Sequence, residues 1–542
     1  MRQKIVLAVI AAAAALILLR VFQPQQGEDA AAEADAGPTI AVLRRGNGSE
    51  PEALNPHNAR TDSAFNIVRD LFEGLTSHDP DGKVVPGVAE SWQVSDDGLV
   101  YTFTLRQDAR WSNGDPLTAA DFVYSFRRLA DPATGAYYAA SLSPVVNAGA
   151  IIAGSIPPEE LGVEATGPHT LVMRLRSPTP YILDLCTHPS MAPVHRPSIE
   201  EHGDAYGRPE NLVSNGAFVV SEWVVGSYVA AERNTEYWGN SANAIDKVIF
   251  YNTVDTSAEL QRYRADELDF TGSIPLPQFN WIKQNLGKEL HISPYLTTYY
   301  YGLNLTRPPF AGNAKLRQAL AMAVDRELLT ERITGTGELP AYGWVPPGTN
   351  YYTPQSFSWA NLAPQERIAE AQRLYAEAGY SRERPLRVEL RYNTADLHRR
   401  VAVAVGEMWK EHLGVELTLV NEEFRVMIQN IREKQVTEIF RSSWVGDYND
   451  AFTFSQFLHT DFGLNLVGYA NPKYDALLEQ AAAETDLRRR RALLEEAERL
   501  MLADTPLIPL YFHVSRHLVK PHVRGWRDNI MNTHYSKHLS LQ

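Results

Sequence analysis

The stretch RSSWVGDYND at 441–450 holds one cation and one anion six positions apart, Arg441 and Asp447, with the indole of Trp444 between them. It is not helical sequence. TEIF at 437–440 reads as a short strand, and Gly446 and Asn449 are loop formers. Loops carried on a rigid scaffold are where binding groups concentrate. Taken alone, such a charge pair is more often an internal salt bridge than a ligand clamp.

The rest of the chain offers no recognisable catalytic constellation. It has no GxSxG elbow, no HExxH zinc helix, no GxxxxGK phosphate loop and no GxGxxG fingerprint. The C-terminal histidines His513, His517, His522, His534 and His538 come without cysteines or closely spaced carboxylates, so neither a metal nor a cofactor is expected. DPDGK at 79–83 lacks the alternating ligands and distal glutamate of a calcium loop and reads as a turn.

Bulk properties narrow the class. A length of 542 residues allows roughly three to four domain-sized units. A net charge of -14 argues against nucleic acid, which demands a basic surface. The single cysteine, Cys186 in PYILDLCTHP, reads as a small buried apolar residue and forbids an intramolecular disulfide. MRQK followed by the apolar run at 5–19 has the form of an export signal or an uncleaved anchor. No cysteine follows it for lipid attachment, and QPQQGEDAAAEADAG at 23–37 reads as a polar tether.

Folded sequence is expected from about residue 39. VYTFTLR at 100–106 and HTLVMRLR at 169–176 alternate as half-buried strands, and Pro and Gly make 132–209 loop-rich. KLRQALAMAVDRELLTERI from 315 predicts one helix with Leu316, Leu320, Ala323, Val324 and Leu328 on one face. A strand at 386–392, a helix stopped by Gly414, a strand at 415–420 and a helix at 424–435 follow. That alternation predicts a largely parallel α/β sheet with ligand loops at the strand ends. Two long helices over about 473–503 and a returning strand from 505 complete it.

Several motifs together resemble the periplasmic oligopeptide-binding proteins of ABC importers, within the peptide/nickel extracellular solute-binding family. They are NGSEPEALNPH at 47–57, RDLFEGL at 69–75, PGVAESW at 86–92, WSNGDPLTAADFVYSFRRLADP at 111–132, SNGAF at 214–218 and ERNTEYW at 232–238. YLTTYYYGLN, DRELL, ELPAY, YNTADLH and the 441–450 stretch continue the match in order. The resemblance implies an α/β, two-lobed periplasmic-binding-protein fold of the class II type with an extra inserted domain, three domains in all. After a signal or anchor at 1–22 and a tether at 23–38, the expected division is domain I at 39–72, 198–298 and 514–542, domain II at 73–197 and domain III at 299–513.

The resemblance also implies roles. Asp447 receives the α-ammonium of a short peptide, while Arg441 and His398 receive its carboxylate at different ligand lengths. Trp444, Tyr138, Phe424 and His513 surround the ligand, which lies as an added strand. The implied partners are peptides of roughly two to five residues, each adding up to about 3.5 Å, and the permease subunits of an inner-membrane importer. The implied location is the periplasm, and the implied state is a monomer.

The sequence departs from the family pattern in three respects. Thr334 replaces a lysine, Arg60 stands for an acidic residue and Asp62 for an apolar one, and Thr297 and Val445 occupy the places of a cysteine pair seen in some relatives. Arg60 suits a more anionic ligand, so a cell-wall (murein) tripeptide carrier is the second reading. Nickel or haem capture is a distant third within the binding class. From other classes come an exported hydrolase, which needs a nucleophile or metal site, and a structural or sensory protein.

Overall fold

Two long strands, Leu290–Leu303 and Leu507–Leu518, run antiparallel through the middle of the molecule, with register shifts between Pro294 and Thr298 and between Tyr299 and Tyr300. Tyr299, Tyr300 and Tyr301 are all buried here, aromatic residues that fit a pleated surface covered on both faces. The computed structural model describes residues 40–434 and 437–542, and the folded body is Ala41–Gln542. The expected export segment at 1–22, the tether at 23–38 and the end of the helix predicted at 424–435 lie outside the described residues.

The two strands belong to a six-stranded sheet in the order Leu339–Pro340, Leu507–Leu518, Leu290–Leu303, Ile439–Val445, Arg387–Asn393, Glu416–Glu422. The expectation of a largely parallel sheet is corrected. Arg387–Asn393 pairs parallel with Glu416–Glu422 and with Ile439–Val445, whereas Leu290–Leu303 pairs antiparallel with both Ile439–Val445 and Leu507–Leu518. Helices follow only the strands Arg387–Asn393 and Glu416–Glu422 directly, so crossover geometry is confined to that end.

The helix predicted from 315 is also corrected. It breaks into Ala314–Met322 and a second segment beginning at Arg326. Asp325 explains the break: its carboxylate caps the new N-terminus by accepting from the Leu328 amide at 2.9 Å. Leu316, Leu320, Ala323 and Val324 are buried as expected, but Leu328, beyond the break, is exposed. The helix Asp396–Leu413 ends as predicted, with Gly414 at φ 76°.

Two four-stranded sheets occupy the N-terminal half. One orders Val42–Gly46, Lys247–Tyr251, Tyr228–Arg233 and Phe218–Val224; the other orders Ala89–Val94, Val100–Leu105, Thr170–Arg174 and Val163–Gly167. The helix Asp62–Leu71 starts where Thr61 caps the Ala64 amide at 3.3 Å, and it buries Ala64, Phe65, Ile67, Val68 and Leu71. Its opposite face, with Asp62, Asn66 and Arg69, is left for the cavity described below. DPDGK forms the expected turn, Gly82 at φ 76° donating to the Asp79 carbonyl, and Cys186 is buried.

Candidate functional site

Asp447 sits just past the strand Ile439–Val445 in a loop that is tied down at several points. The Gly446 amide donates to the Leu296 carbonyl at 2.8 Å and the Asp447 amide to Thr453 Oγ1 at 3.3 Å. Tyr448 is buried and stacks on Tyr181 at 4.1 Å with the rings 4° from parallel. Asp450 forms a bidentate pair with Arg490 at 2.6 and 2.8 Å. The loop is therefore a rigid mount.

The carboxylate it presents has no cation within ion-pair distance among the described residues. It keeps a water-accessible edge, yet the surrounding protein strips enough solvent that burial alone pushes its acidity up to about 6. Asp447 faces a cavity of about 760 Å³, a size typical of small-ligand sites, that is also lined by Asp62, Phe65, Arg69, Tyr138 and Tyr295.

Gly446 is required by its neighbours. A Cβ there would stand 2.6 Å from Leu296 Cδ2 and 3.0 Å from the Phe454 ring. Gly446→Val is expected to cost roughly 1–3 kcal/mol through overpacking and to displace Asp447. A thermal melt together with a ligand titration checks both effects, and unchanged values in the two would refute the close fit.

Arg441 lies in the strand, not in the loop as the sequence reading had it, directly across from Tyr301. Its guanidinium donates to Asn393 Oδ1 at 3.2 Å and Ser443 Oγ at 2.8 Å and lies over the Tyr299 ring at 4.6 Å. Tyr299 connects it to the two histidines: its hydroxyl is 3.2 Å from His398 Nδ1, and its ring stacks on Tyr511, which packs against His513. Burial brings both imidazoles down to about 4, and the Arg441 charge adds to the shift in each. They are neutral hydrogen-bonding groups beside one fixed cation.

The internal Arg441–Asp447 salt bridge is not formed. Arg441 and Val445 are separated by about 13 Å of extended chain, and Asp447 lies beyond. Between the two charges the backbone has a free edge. The strand pairs fully with Leu290–Leu303, but its pairing to Arg387–Asn393 is confined to Ile439 and Phe440. Thr297 stands opposite Val445 in that register.

The structure brings Asp447, Asp62 and Tyr138 into the cavity and gathers Arg441, His398 and His513 into a second group. Thr334 is buried beside Glu338, which is paired with Arg516 near His513. Trp444 points to the other face from Arg441: its Nε1 donates to the Thr453 carbonyl at 2.9 Å and its ring rests on Phe457. Phe424 begins the helix Phe424–Glu433 and is 52% exposed, and Arg60 lies over the exposed ring of Tyr137. Neither lines the cavity. Arg69, Tyr295 and Tyr181 do, and reading the sequence missed all three. For Arg69 there was a signal: it follows Asp62 by seven residues, two turns along one helical face.

Residues 83–465 match the family described as bacterial extracellular solute-binding proteins, family 5. The chain is 38% identical over 522 residues to the periplasmic oligopeptide-binding protein OppA of Escherichia coli, covering 94% of this chain and 95% of that one. Among solved structures, the unliganded open form of the periplasmic murein tripeptide-binding protein MppA superposes with a TM-score of 0.86 at 36% identity, over 93% of this chain and 98% of that one. Haemophilus influenzae OppA in complex with the peptide RPPGFSPFR superposes with a TM-score of 0.74 at 36% identity, over 93% and 99% of the two chains.

Proposed function

This chain belongs to the bacterial extracellular solute-binding proteins of family 5, and we propose that it captures short peptides by their two charged ends and backbone and hands them to an ABC importer. One observation carries the reading. Among the described residues, a carboxylate with no cation partner, Asp447, and a cation with no carboxylate partner, Arg441, lie toward opposite ends of a strand whose edge between them is unpaired. A peptide is the complementary object: an ammonium, a carboxylate and a row of amides between them.

In this reading Asp447 takes the ammonium by a charge-assisted hydrogen bond and fixes the register. Arg441 and His398 take the carboxylate of ligands of roughly two to five residues, a length set by the rise of an extended chain. Tyr138 and His513 border the ligand, with Trp444 bracing the strand and Phe424 at the rim. The three-domain division given above is supported by the three separate larger sheets. Closure would swing the lobes about the long strands near 290–303 and 507–518, and the similarity to an unliganded open form supports an open conformer here. The protein would act in the periplasm as a monomer, without catalysis.

A cell-wall tripeptide remains the second reading, favoured by the similarity to MppA. Mass spectrometry of small molecules released on denaturing natively purified protein separates the two. Mixed peptides of a few residues establish the general carrier, and a single diaminopimelate-containing species establishes the other. A synthetic tripeptide incubated with the protein is expected back intact; cleavage would make this a hydrolase.

A further inference from the structure

Arg69 presents a cation to the cavity with no carboxylate partner among the described residues. It lies in the last turn of the helix Asp62–Leu71, half-buried, and lines the same cavity as Asp447. Its guanidinium carbon is 5.8 Å from the Phe65 ring centroid, and among the described residues no carboxylate comes within 4.0 Å of it. The neighbouring acid, Asp70, is turned away toward Arg45 and the Ser536 amide. Core arginines of this protein are treated differently: Arg326 and Arg317 each donate to several backbone carbonyls.

His78, His188 and His534 line the cavity too, and burial holds each imidazole uncharged, with the Arg69 charge acting in the same direction. Tyr295 feels both signs of charge: burial pushes its hydroxyl up to about 12, with Asp62 adding to the shift and Arg69 opposing it. The next residue, Leu296, holds the Gly446 amide and so fixes Asp447 close by. Among the described residues, Arg69 is a cation of this cavity with no carboxylate in ion-pair distance, and it shares the cavity with the proposed ammonium site.

We infer that Arg69 is a specificity-determining residue, receiving a carboxylate carried by the first or second residue of a peptide whose ammonium rests on Asp447. Its planar fork suits a carboxylate, and the water-poor surroundings strengthen the contact. This rests on the peptide reading above.

Calorimetric titration of the full-length protein with Glu-Ala-Ala against Gln-Ala-Ala, and with Ala-Glu-Ala against Ala-Gln-Ala, tests it. In at least one pair the acidic member is expected to bind about tenfold more tightly, the scale of one charge-assisted hydrogen bond. Arg69→Gln should bring that ratio to about one, and Arg69→Lys should keep part of it. A ratio near one in both wild-type pairs, or one that survives Arg69→Gln, overturns the inference while leaving the peptide reading standing. If none of the four peptides binds the wild-type protein, the peptide reading fails and this inference falls with it.

Discussion

Asp447→Ala is expected to weaken binding of an unblocked tripeptide by several hundred-fold or more, with far less effect on the same peptide acetylated at its amino end. The ligand ammonium would be taken out of water and left without its counter-charge, a loss of roughly 3–5 kcal/mol, where each 1.4 kcal/mol is about tenfold. The loop is already held by Tyr448, Asp450 and the Gly446 amide, so the variant should lose a charge and little structure. Titration of both peptides into both proteins reads the result. A variant that binds the unblocked peptide within threefold of wild type would remove Asp447 from the site.

The same carboxylate predicts a pH dependence. In the free protein burial holds it near 6, and a bound ammonium would draw that value down. Affinity should therefore be flat between about pH 6 and the ligand ammonium's own pKa of roughly 8, and fall by up to about tenfold per unit below about 6, because the proton must first leave. Stability runs the other way. The folded value lies above the ordinary 3.8, so the ionised group disfavours the fold above about 6 and that penalty fades as the pH falls from 6 to 4. Asp447→Asn should therefore melt higher than wild type at pH 7 without ligand, the gap closing by pH 4. A site that is costly when empty is what a ligand-binding carboxylate should be.

How much of this was legible in the sequence depends on what each feature needs. Strands such as Val100–Leu105 and helices such as Asp396–Leu413 are set by local periodicity and caps, and they appear where expected. The break at Asp325 was missed because the apolar pattern runs straight through it, while a single cap hydrogen bond decides the outcome. Strand order was not legible, since pairing between the strands at 290 and 507 spans some two hundred residues with no local trace. For the site, Asp447 and Arg441 stood out as a pair, but the residues alone could not say whether they bond to each other. The extended strand between them, which prevents it, depends on pairing with Leu290–Leu303. Arg69 was hidden for the opposite reason. An arginine near a helix C-terminus is an ordinary dipole partner, and only the assembled cavity shows that it lines a ligand-sized space with no carboxylate in ion-pair distance among the described residues.

Arg490→Met is expected to be the most destabilising of the substitutions considered. Arg490 and Asp450 are both buried, joined by two hydrogen bonds, and the guanidinium lies 5.9 Å from the Tyr181 ring and 5.8 Å from Phe452. Removing the cation leaves Asp450 charged and buried, at a cost of roughly 3–5 kcal/mol. A second acid makes this worse. Asp184 is pushed up to about 7 by burial and then by the Asp450 charge, and its Oδ1 has no partner among the described residues. With Arg490 gone, the two carboxyls repel each other with only the Phe452 and Asn449 amides left to hold the negative charge. The midpoint of thermal denaturation should drop on the order of 5 °C, and less at acidic pH, where protonation quenches the repulsion. Asp450 lies three residues past Asp447, so peptide affinity should fall as well. Adding Asp450→Asn removes the orphaned charge, and the double variant should recover much of the lost stability, since a neutral pair is cheap to bury where a lone ion is not. If Arg490→Met melts like wild type, or the double variant is no better than the single, the ion pair is not what anchors the loop, and the packing of Tyr448 on Tyr181 must hold it alone.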